Sequence, residues 1–486
     1  MKGSEMTNYT NQEKRPTGLM VVWCLVIAGC CFSMSITGIY GAAALPLQTL
    51  LSLTSFANPI TGLFYLSAAQ VIPDPPGIPL SSSQLAISGF LIWHAFNFDG
   101  KEYKAAVPFL SAVAPFIVWT TFCSALPGGW GIRTVFVLLY CLLTGYAAVI
   151  LCRRSGNRVL VCALAFLSAQ ALAASLFWVL KLKLGTPVEA FDWEIYGSSL
   201  REGARIGTSR GNANTLGVPM ALGLAGGLLF FLKGMFRKAL VRRRYFFAGA
   251  VLFLICFPAL VASGTRGAMI AFGCGLVFAL FNAKIVLRGP AIIGGGGAIA
   301  VTVAVFSWFH FDLGKSWGEI QGRAEYYESM NGDSRFAGRD LVWHEAVGAI
   351  FDSPLIGGGK PDIESYAGAE SMWASHSTFL DAGLMGGIPG FAMYLGFVLY
   401  PIYLAICFKK DPNVWLLMSA YITALVTLVS LSGMQYKYWW VLWALFSIWF
   451  PKMRGEGRKR NAVRRRRPLN LSVRSTEVDQ FSSPSL

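Results

Sequence analysis

The sequence predicts an all-α, polytopic membrane protein of about 12–14 transmembrane helices, with a large extracytoplasmic loop that carries short helices. Hydrophobic residues form 55% of the chain and charged residues only 14%, and the mean hydropathy is +0.53. Soluble domains carry about 25% charged residues. Apolar runs of about 20 residues, the length of a membrane-crossing helix, recur along the whole chain. A transmembrane barrel would instead show alternating segments of about 10 residues.

The apolar runs place the individual spans in order along the chain. Each run is bounded by polar, glycine-rich or charged residues, which are typical of span ends. The predicted spans lie near 19–40, 44–72, 84–98, 105–126, 132–151, 158–180, 215–232, 245–262, 267–286, 289–308, 378–407, 413–431 and 436–451.

Basic clusters beside these spans predict their orientation. The segment from Lys452 to Arg467 contains nine Lys or Arg and one Glu, and the segment from Lys233 to Arg244 contains six basic residues and no acid. Such clusters mark the cytoplasmic side and suit anionic lipid head groups. Nucleic-acid binding is the other interpretation of a basic tail, but this tail directly follows a span, so we expect no nucleic-acid partner.

This orientation divides the chain into seven segments and places both long hydrophilic loops on the periplasmic or exterior side. The seven segments are an N-terminal tail (1–17), an N-terminal transmembrane bundle (18–180), an extracytoplasmic loop (181–214), central transmembrane helices (215–308), a large periplasmic loop (309–377), C-terminal transmembrane helices (378–451) and a basic cytoplasmic tail without predicted structure (452–486).

The N-terminal side stays open at this stage. Thirteen spans with a cytoplasmic C-terminus put the N-terminus outside, whereas Lys14 and Arg15 favour the inside. Either one of the first three runs is not a full span, or the 44–72 run, interrupted at Asn58-Pro59, contains two short helices.

Two arginines on the outer face are candidates for binding an anion. Arg266, in ASGTRGAM, opens an apolar run, where an arginine either snorkels to the interface or binds a negative group with its planar fork. Arg339 precedes a stretch with apolar residues at helical spacing that ends at Asp352-Ser-Pro, so it lies in the first turn of a predicted helix. The alternative for Arg339 is a surface residue paired with a nearby charge.

His376 is the candidate acid–base residue, because an imidazole exchanges protons near neutral pH. It lies where the 309–377 loop returns to an apolar run, in SHSTFLDAGLMGGIPG. The alternatives are a solvated loop histidine and a residue at a helix N-terminus. His94, His310 and His344 have no comparable setting. Metal-ligand motifs and a nucleotide-binding loop are both missing from the sequence, so we expect no cofactor.

Three motifs in this order resemble the O-antigen ligase superfamily, which includes O-antigen ligases, O-antigen and exopolysaccharide polymerases, and some protein O-glycosyltransferases. They are SGTRGA, then GRDLVWHEAVGAIFDSPLIGGG, then HSTFLDAGLMGGIPG with His376, Ser377, Gly387 and Gly390 at the ligase-signature positions. The stretch SRGNANTLG is similar to the family's entry to the preceding span. Phe391 stands where the ligase form has Thr.

The resemblance implies a metal-independent reaction at the periplasmic face of the bacterial cytoplasmic (inner) membrane. The donor would be a glycan on undecaprenyl diphosphate. Arg266 and Arg339 would hold the diphosphate, and His376 would orient or deprotonate the acceptor hydroxyl. Arg210, Asn214 and Ser377 are implied to contact the substrate. The expected partners are this donor, a glycan or lipid A-core acceptor, membrane lipids, and a chain-length regulator as a further candidate.

Several functions stay open within and outside this resemblance. Phe391 favours a polymerase of O-antigen or exopolysaccharide repeat units over a ligase that attaches the glycan to lipid A-core. Protein O-glycosylation is less favoured, since those relatives often carry a soluble C-terminal domain. A transporter would place charged residues near the bilayer midplane, whereas this chain gathers them at the outer boundary.

Overall fold

The fold is described from a computed structural model of the 486-residue chain. It describes residues 50–52, 54–71, 81–126, 132–184, 213–235, 239–263, 265–283, 339–358, 375, 377–408, 411–430 and 437–449. The chain divides into a compact unit of residues 1–448 and a second unit of residues 449–486, of which only Trp449 is described. The α-helices below all belong to the first unit.

The described residues form twelve α-helices and two short 3-10 helices, with no β-strand among them. The α-helices are α1 (Pro59–Ala68), α2 (Ser82–Phe96), α3 (Gly100–Ser124), α4 (Ile132–Arg154), α5 (Val159–Leu184), α6 (Ala213–Met235), α7 (Ala239–Ser263), α8 (Arg266–Ala283), α9 (Arg339–Asp352), α10 (Thr378–Cys407), α11 (Pro412–Ser430) and α12 (Lys437–Phe446); the 3-10 helices are Ser55–Ala57 and Ser447–Trp449.

Several of these helices are long and apolar enough to cross a bilayer. Five satisfy both conditions by length and composition: Gly100–Ser124, Thr134–Arg154, Val159–Leu176, Arg243–Val261 and Thr378–Cys407. Three shorter apolar segments lie at Leu216–Leu232, Gly267–Ala279 and Asn413–Val429. The chain is therefore an all-α, multi-pass membrane protein, as predicted. The predicted spans near 19–40 and 289–308 lie outside the described residues, so the total of 12–14 stays a prediction.

The interruption predicted at Asn58-Pro59 is a helix boundary. The Asn58 side chain accepts a hydrogen bond from the Ile60 amide and caps α1, whose first residue is Pro59. A proline at the first helical position costs no intrahelical hydrogen bond, because that N–H would have no partner there. The 44–72 run therefore contains a helix start rather than one uninterrupted helix.

Side-chain and glycine contacts fix the relative directions of neighbouring helices. Contacts that progress in the same chain direction show that α10 and α12 are parallel and that α2 and α4 are parallel. Contacts that progress in opposite chain directions show five antiparallel pairs: α3 with α10, α3 with α4, α5 with α6, α6 with α7, and α11 with α12. The pairs are Tyr394–Trp439 and Tyr400–Trp443; His94–Tyr146 and Asn97–Arg154; Trp119–Gly386 and Phe116–Tyr394; Glu102–Arg154 and Phe109–Gly145; Ser175–Met220 and Ala171–Gly223; Cys256–Gly223 and Gly249–Gly227; and Thr427–Tyr438 and Tyr421–Phe446.

These directions give the bundle two ends, named here after one residue at each. At the Ser377 end, α2 and α12 begin side by side, and the Lys437 ammonium donates a 2.6 Å hydrogen bond to the Ser83 hydroxyl. At the Arg154 end, α4 turns tightly into α5. Helices α6, α8 and α10 therefore all begin at the Ser377 end, since α6 runs against α5, and α8 follows directly on α7.

Candidate functional site

The structure describes the predicted site residues to different extents. Arg266 and Arg339 are the first residues of α8 and α9, and Asn214 lies in the first turn of α6, but their side chains are outside the description. His376 and Arg210 lie outside the described residues altogether. Only Ser377 is described fully, as the N-cap residue of α10. It is 6% exposed, and its side chain makes no capping hydrogen bond.

The SRGNANTLG stretch and the SGTRGA motif pack against each other at the Ser377 end. Gly217, in the first turns of α6, lies against the short turn between α7 and α8. A Cβ added to Gly217 would lie 2.5 Å from Thr265 Oγ1 and 2.8 Å from Ser263 Oγ. Only glycine permits this approach. The contact brings the backbone of the NTLG segment beside the turn that precedes Arg266.

The second and third motifs also pack against each other. Ala346 and Ile350 on α9 form a small apolar core with Leu384 on α10, flanked by Ala349 and Leu380. Gly383 makes room for this contact, because its Cβ would lie 2.5 Å from Ile350 Cδ1.

Helix α10 is broken where the turn after α9 reaches it. Gly386 (φ −151°, ψ 18°) and Gly387 (φ 63°, ψ −160°) leave the helical conformation. A break frees backbone groups, which need other partners in a low-dielectric setting. Here the Ile388 amide donates to the Pro354 carbonyl at 2.8 Å, and Trp119 Nε1–H on α3 donates to the Gly386 carbonyl at 2.8 Å.

The glycines of both motifs allow two backbones to meet at this break. A Cβ on Gly357 (φ 84°) would lie 2.3 Å from the Leu384 carbonyl oxygen. A Cβ on Gly387 would lie 2.3 Å from the Pro354 carbonyl oxygen. Residues 354–357 of the second motif and residues 383–388 of the third are therefore two halves of one backbone-to-backbone joint.

A buried hydrogen-bond network precedes α10. Asp381, 4% exposed, accepts from the Ser375 amide at 3.2 Å and from the Ser375 hydroxyl at 2.7 Å through the same oxygen, Oδ1. The Ser375 hydroxyl in turn accepts from the Ser377 amide at 3.2 Å and lies 2.8 Å from the Ser377 carbonyl oxygen. A hydroxyl has one proton, so Ser375 donates to one of these two oxygens at a time.

Sequence reasoning missed three residues of this region: Ser375, Asp381 and Trp119. Asp381 had a readable signal, because it is an acidic residue just inside an apolar run and six positions after a serine. Ser375 and Trp119 had no such signal. For Trp119, a hydrogen bond between residues 119 and 386 cannot be predicted from the local sequence pattern.

The two histidines that the structure describes are His94 and His344. His94 is buried, stacks on Phe90 at 5.5 Å between ring centroids, and its Nε2 lies 2.8 Å from the Tyr146 hydroxyl. His344 is exposed on α9. His310 lies outside the described residues. Within the part of the chain that the structure describes, no three His, Cys, Asp or Glu side chains group as metal ligands would.

Comparison with known proteins agrees with the motifs. Residues 251–395 match the sequence model of a family described as O-antigen ligase. No curated protein matches the chain. The matched region runs from within α7 to within α10, so it contains Arg266, Arg339, His376 and both halves of the joint. The match confirms, over these residues, the resemblance to the O-antigen ligase and polymerase superfamily read from the sequence.

Proposed function

We propose that this protein transfers a glycan from undecaprenyl diphosphate to an acceptor hydroxyl on the periplasmic face of the cytoplasmic membrane. The observation that supports this proposal is that the helices bearing the motifs meet at one end of the bundle. Helices α6, α8 and α10 begin there, Gly217 packs on the turn before Arg266, and α9 packs against the first half of α10.

The proposed chemistry is a single displacement at the anomeric carbon. The acceptor oxygen forms a new bond to that carbon while its proton passes to the His376 imidazole. The bond from the anomeric carbon to the diphosphate oxygen breaks, and the diphosphate leaves with the electron pair. Since negative charge grows on the leaving group, guanidinium groups already aimed at it lower the barrier. Arg266 and Arg339 take this role, helped by free N–H groups at the starts of α8 and α9. Arg210, Asn214 and Ser377 are the further substrate contacts of this proposal.

The acceptor separates two versions of the function. In a polymerase, the acceptor is a second lipid-linked repeat unit of O-antigen or exopolysaccharide. In a ligase, it is lipid A-core. Phe391, at the position where the ligase form has Thr, favours the polymerase, whereas the description of the matching family favours the ligase.

Gene deletion with complementation tests the proposal. The host lacking the gene is supplied with the unaltered chain, His376→Ala, Arg339→Ala or Arg266→Ala, and its surface glycan is separated on a gel. Arg243→Ala, an exposed arginine on α7 outside the motifs, is the matched control and should restore the glycan.

The gel pattern identifies the acceptor. Single repeats on core with no long chains indicate a polymerase, and long chains retained on the lipid carrier indicate a ligase. Export of complete glycan by the His376 and Arg339 variants at the unaltered level would contradict the proposal and favour a transporter.

A further inference from the structure

Asp381 is a buried carboxylate inside an apolar helix, and burying an ionisable group there costs free energy. It lies in the first turn of α10, one of the five helices suited to crossing a membrane, and is 4% exposed. Ionisable residues in such segments are costly to bury and usually serve a function.

Its hydrogen bonds reach across position 376. Asp381 Oδ1 accepts from both the amide and the hydroxyl of Ser375, which lies on the far side of residue 376 from the helix. On the near side, the Asp381 amide donates to the Ser377 carbonyl at 3.0 Å, and the Ser377 amide donates to Ser375 Oγ at 3.2 Å. The carboxylate thus holds the chain immediately before position 376, and the Ser375 hydroxyl links it to the amide immediately after that position.

Helix capping does not account for this arrangement. The N-cap residue of α10 is Ser377, and its side chain makes no capping bond. The Ser375 amide that Asp381 binds lies outside the helix, so the bond adds nothing to the helix itself. The network instead ties Ser375 to Ser377, the extended residue that precedes the helix, and Ser375 is fully buried.

We propose that Asp381 and Ser375 are positioning residues that hold residue 376 in the orientation needed for proton transfer. This inference rests on the proposed function, in which His376 takes the acceptor proton. A displacement of about 1 Å at a catalytic group can lower the rate about 100-fold, so a general base on a chain segment needs such a restraint.

The test measures transfer by the purified full-length protein in lipid nanodiscs, with the host's undecaprenyl-diphosphate-linked glycan as donor. Ser375→Ala and Asp381→Ala should each lower kcat by about tenfold or more while KM for the donor changes less than about twofold. Ser375→Thr keeps a hydroxyl and Asp381→Asn keeps an acceptor oxygen, so each should recover part of the lost kcat.

The control is Ser168→Ala, which removes another buried serine hydroxyl, bonded to the Leu164 carbonyl on α5. It should leave kcat unchanged. Because Ser375 and Asp381 act as one unit, the double variant should be no slower than the slower single variant. Additive losses, or Ser375→Ala and Asp381→Ala variants as active as Ser168→Ala, would overturn the inference.

His376→Ala separates this inference from the proposed function. An inactive His376→Ala with a fully active Ser375→Ala and Asp381→Ala refutes the positioning role alone. A fully active His376→Ala refutes the proposed role of His376, and the positioning role with it.

Discussion

Gly387 shows how a single residue serves both local conformation and long-range packing. Its φ of 63° lies in the left-handed region, where a Cβ meets the following carbonyl. The same position faces the Pro354 carbonyl oxygen, which a Cβ would approach to 2.3 Å. The glycine spacing of the third motif is therefore a requirement of the joint with α9.

Gly387→Ala should destabilise the protein by more than about 2 kcal/mol, because the strain of a positive φ adds to the clash with Pro354. The matched control is Gly396→Ala on the same helix, where a Cβ would meet nothing within 4 Å. That variant should be neutral or slightly stabilising, since alanine is the better helix former by about 1 kcal/mol. The midpoint of thermal unfolding in detergent compares the two, and equal midpoints would refute this reading of Gly387.

At the scale of elements, sequence patterns predicted helix bounds, including the interruption at Asn58-Pro59, but not the break inside α10. The predicted 378–407 span coincides with α10, and the predicted helix ending at Asp352-Ser-Pro is α9. Run length and helix stops are local signals, so they can be read directly. The break at Gly386 and Gly387 lies inside an unbroken apolar run, and hydropathy does not report φ and ψ. Its partners, Trp119 and Pro354, come from other elements.

Trp119→Phe tests whether α3 supports the break in α10. The substitution keeps an aromatic ring but removes the Nε1–H that donates to the Gly386 carbonyl, so that carbonyl loses its partner. Leaving such a group unsatisfied costs about 1–3 kcal/mol. We expect a lower unfolding midpoint and reduced glycan transfer. Phe122→Leu, at an exposed neighbouring ring on α3, is the control and should change neither. A wild-type midpoint for Trp119→Phe would show that the break does not depend on this bond.

Across the whole molecule, the two ends of the bundle have different chemistry. The Ser377 end gathers the starts of the motif-bearing helices. At the Arg154 end, Arg154 Nε lies 2.7 Å from Glu102 Oε1, its guanidinium lies 4.4 Å from the centre of the Trp93 ring, and it donates to the Asn97 carbonyl. This one side chain ties together α2, α3 and α4.

Arg153 and Arg154 are adjacent cations in the last turn of α4, and the structure gives them different roles. Arg153 Nη1 donates to the exposed Asn157 side chain within the same turn, whereas Arg154 joins three helices. A count of charges in the sequence does not distinguish the two arginines, because the positions of Glu102 and Trp93 relative to them are known only from the structure. The same holds for the candidate site. Its residue types could be predicted from the motifs, but the Ser375–Asp381 hydrogen-bond network could not.

Arg154→Ala should therefore lower stability without altering the chemistry at the other end. It leaves the Glu102 carboxylate, only 15% exposed, without its cation, and removing one partner of a buried pair costs about 3–5 kcal/mol. We expect a clearly lower unfolding midpoint, with kcat and KM for the donor unchanged below that temperature. Arg153→Ala removes the same charge one residue away and should lose far less stability, because its bond to Asn157 is exposed. A fall in kcat for Arg154→Ala at a temperature where the protein is fully folded would show that the two ends are coupled, and equal midpoints for both variants would show that Arg154 does not hold the three helices together.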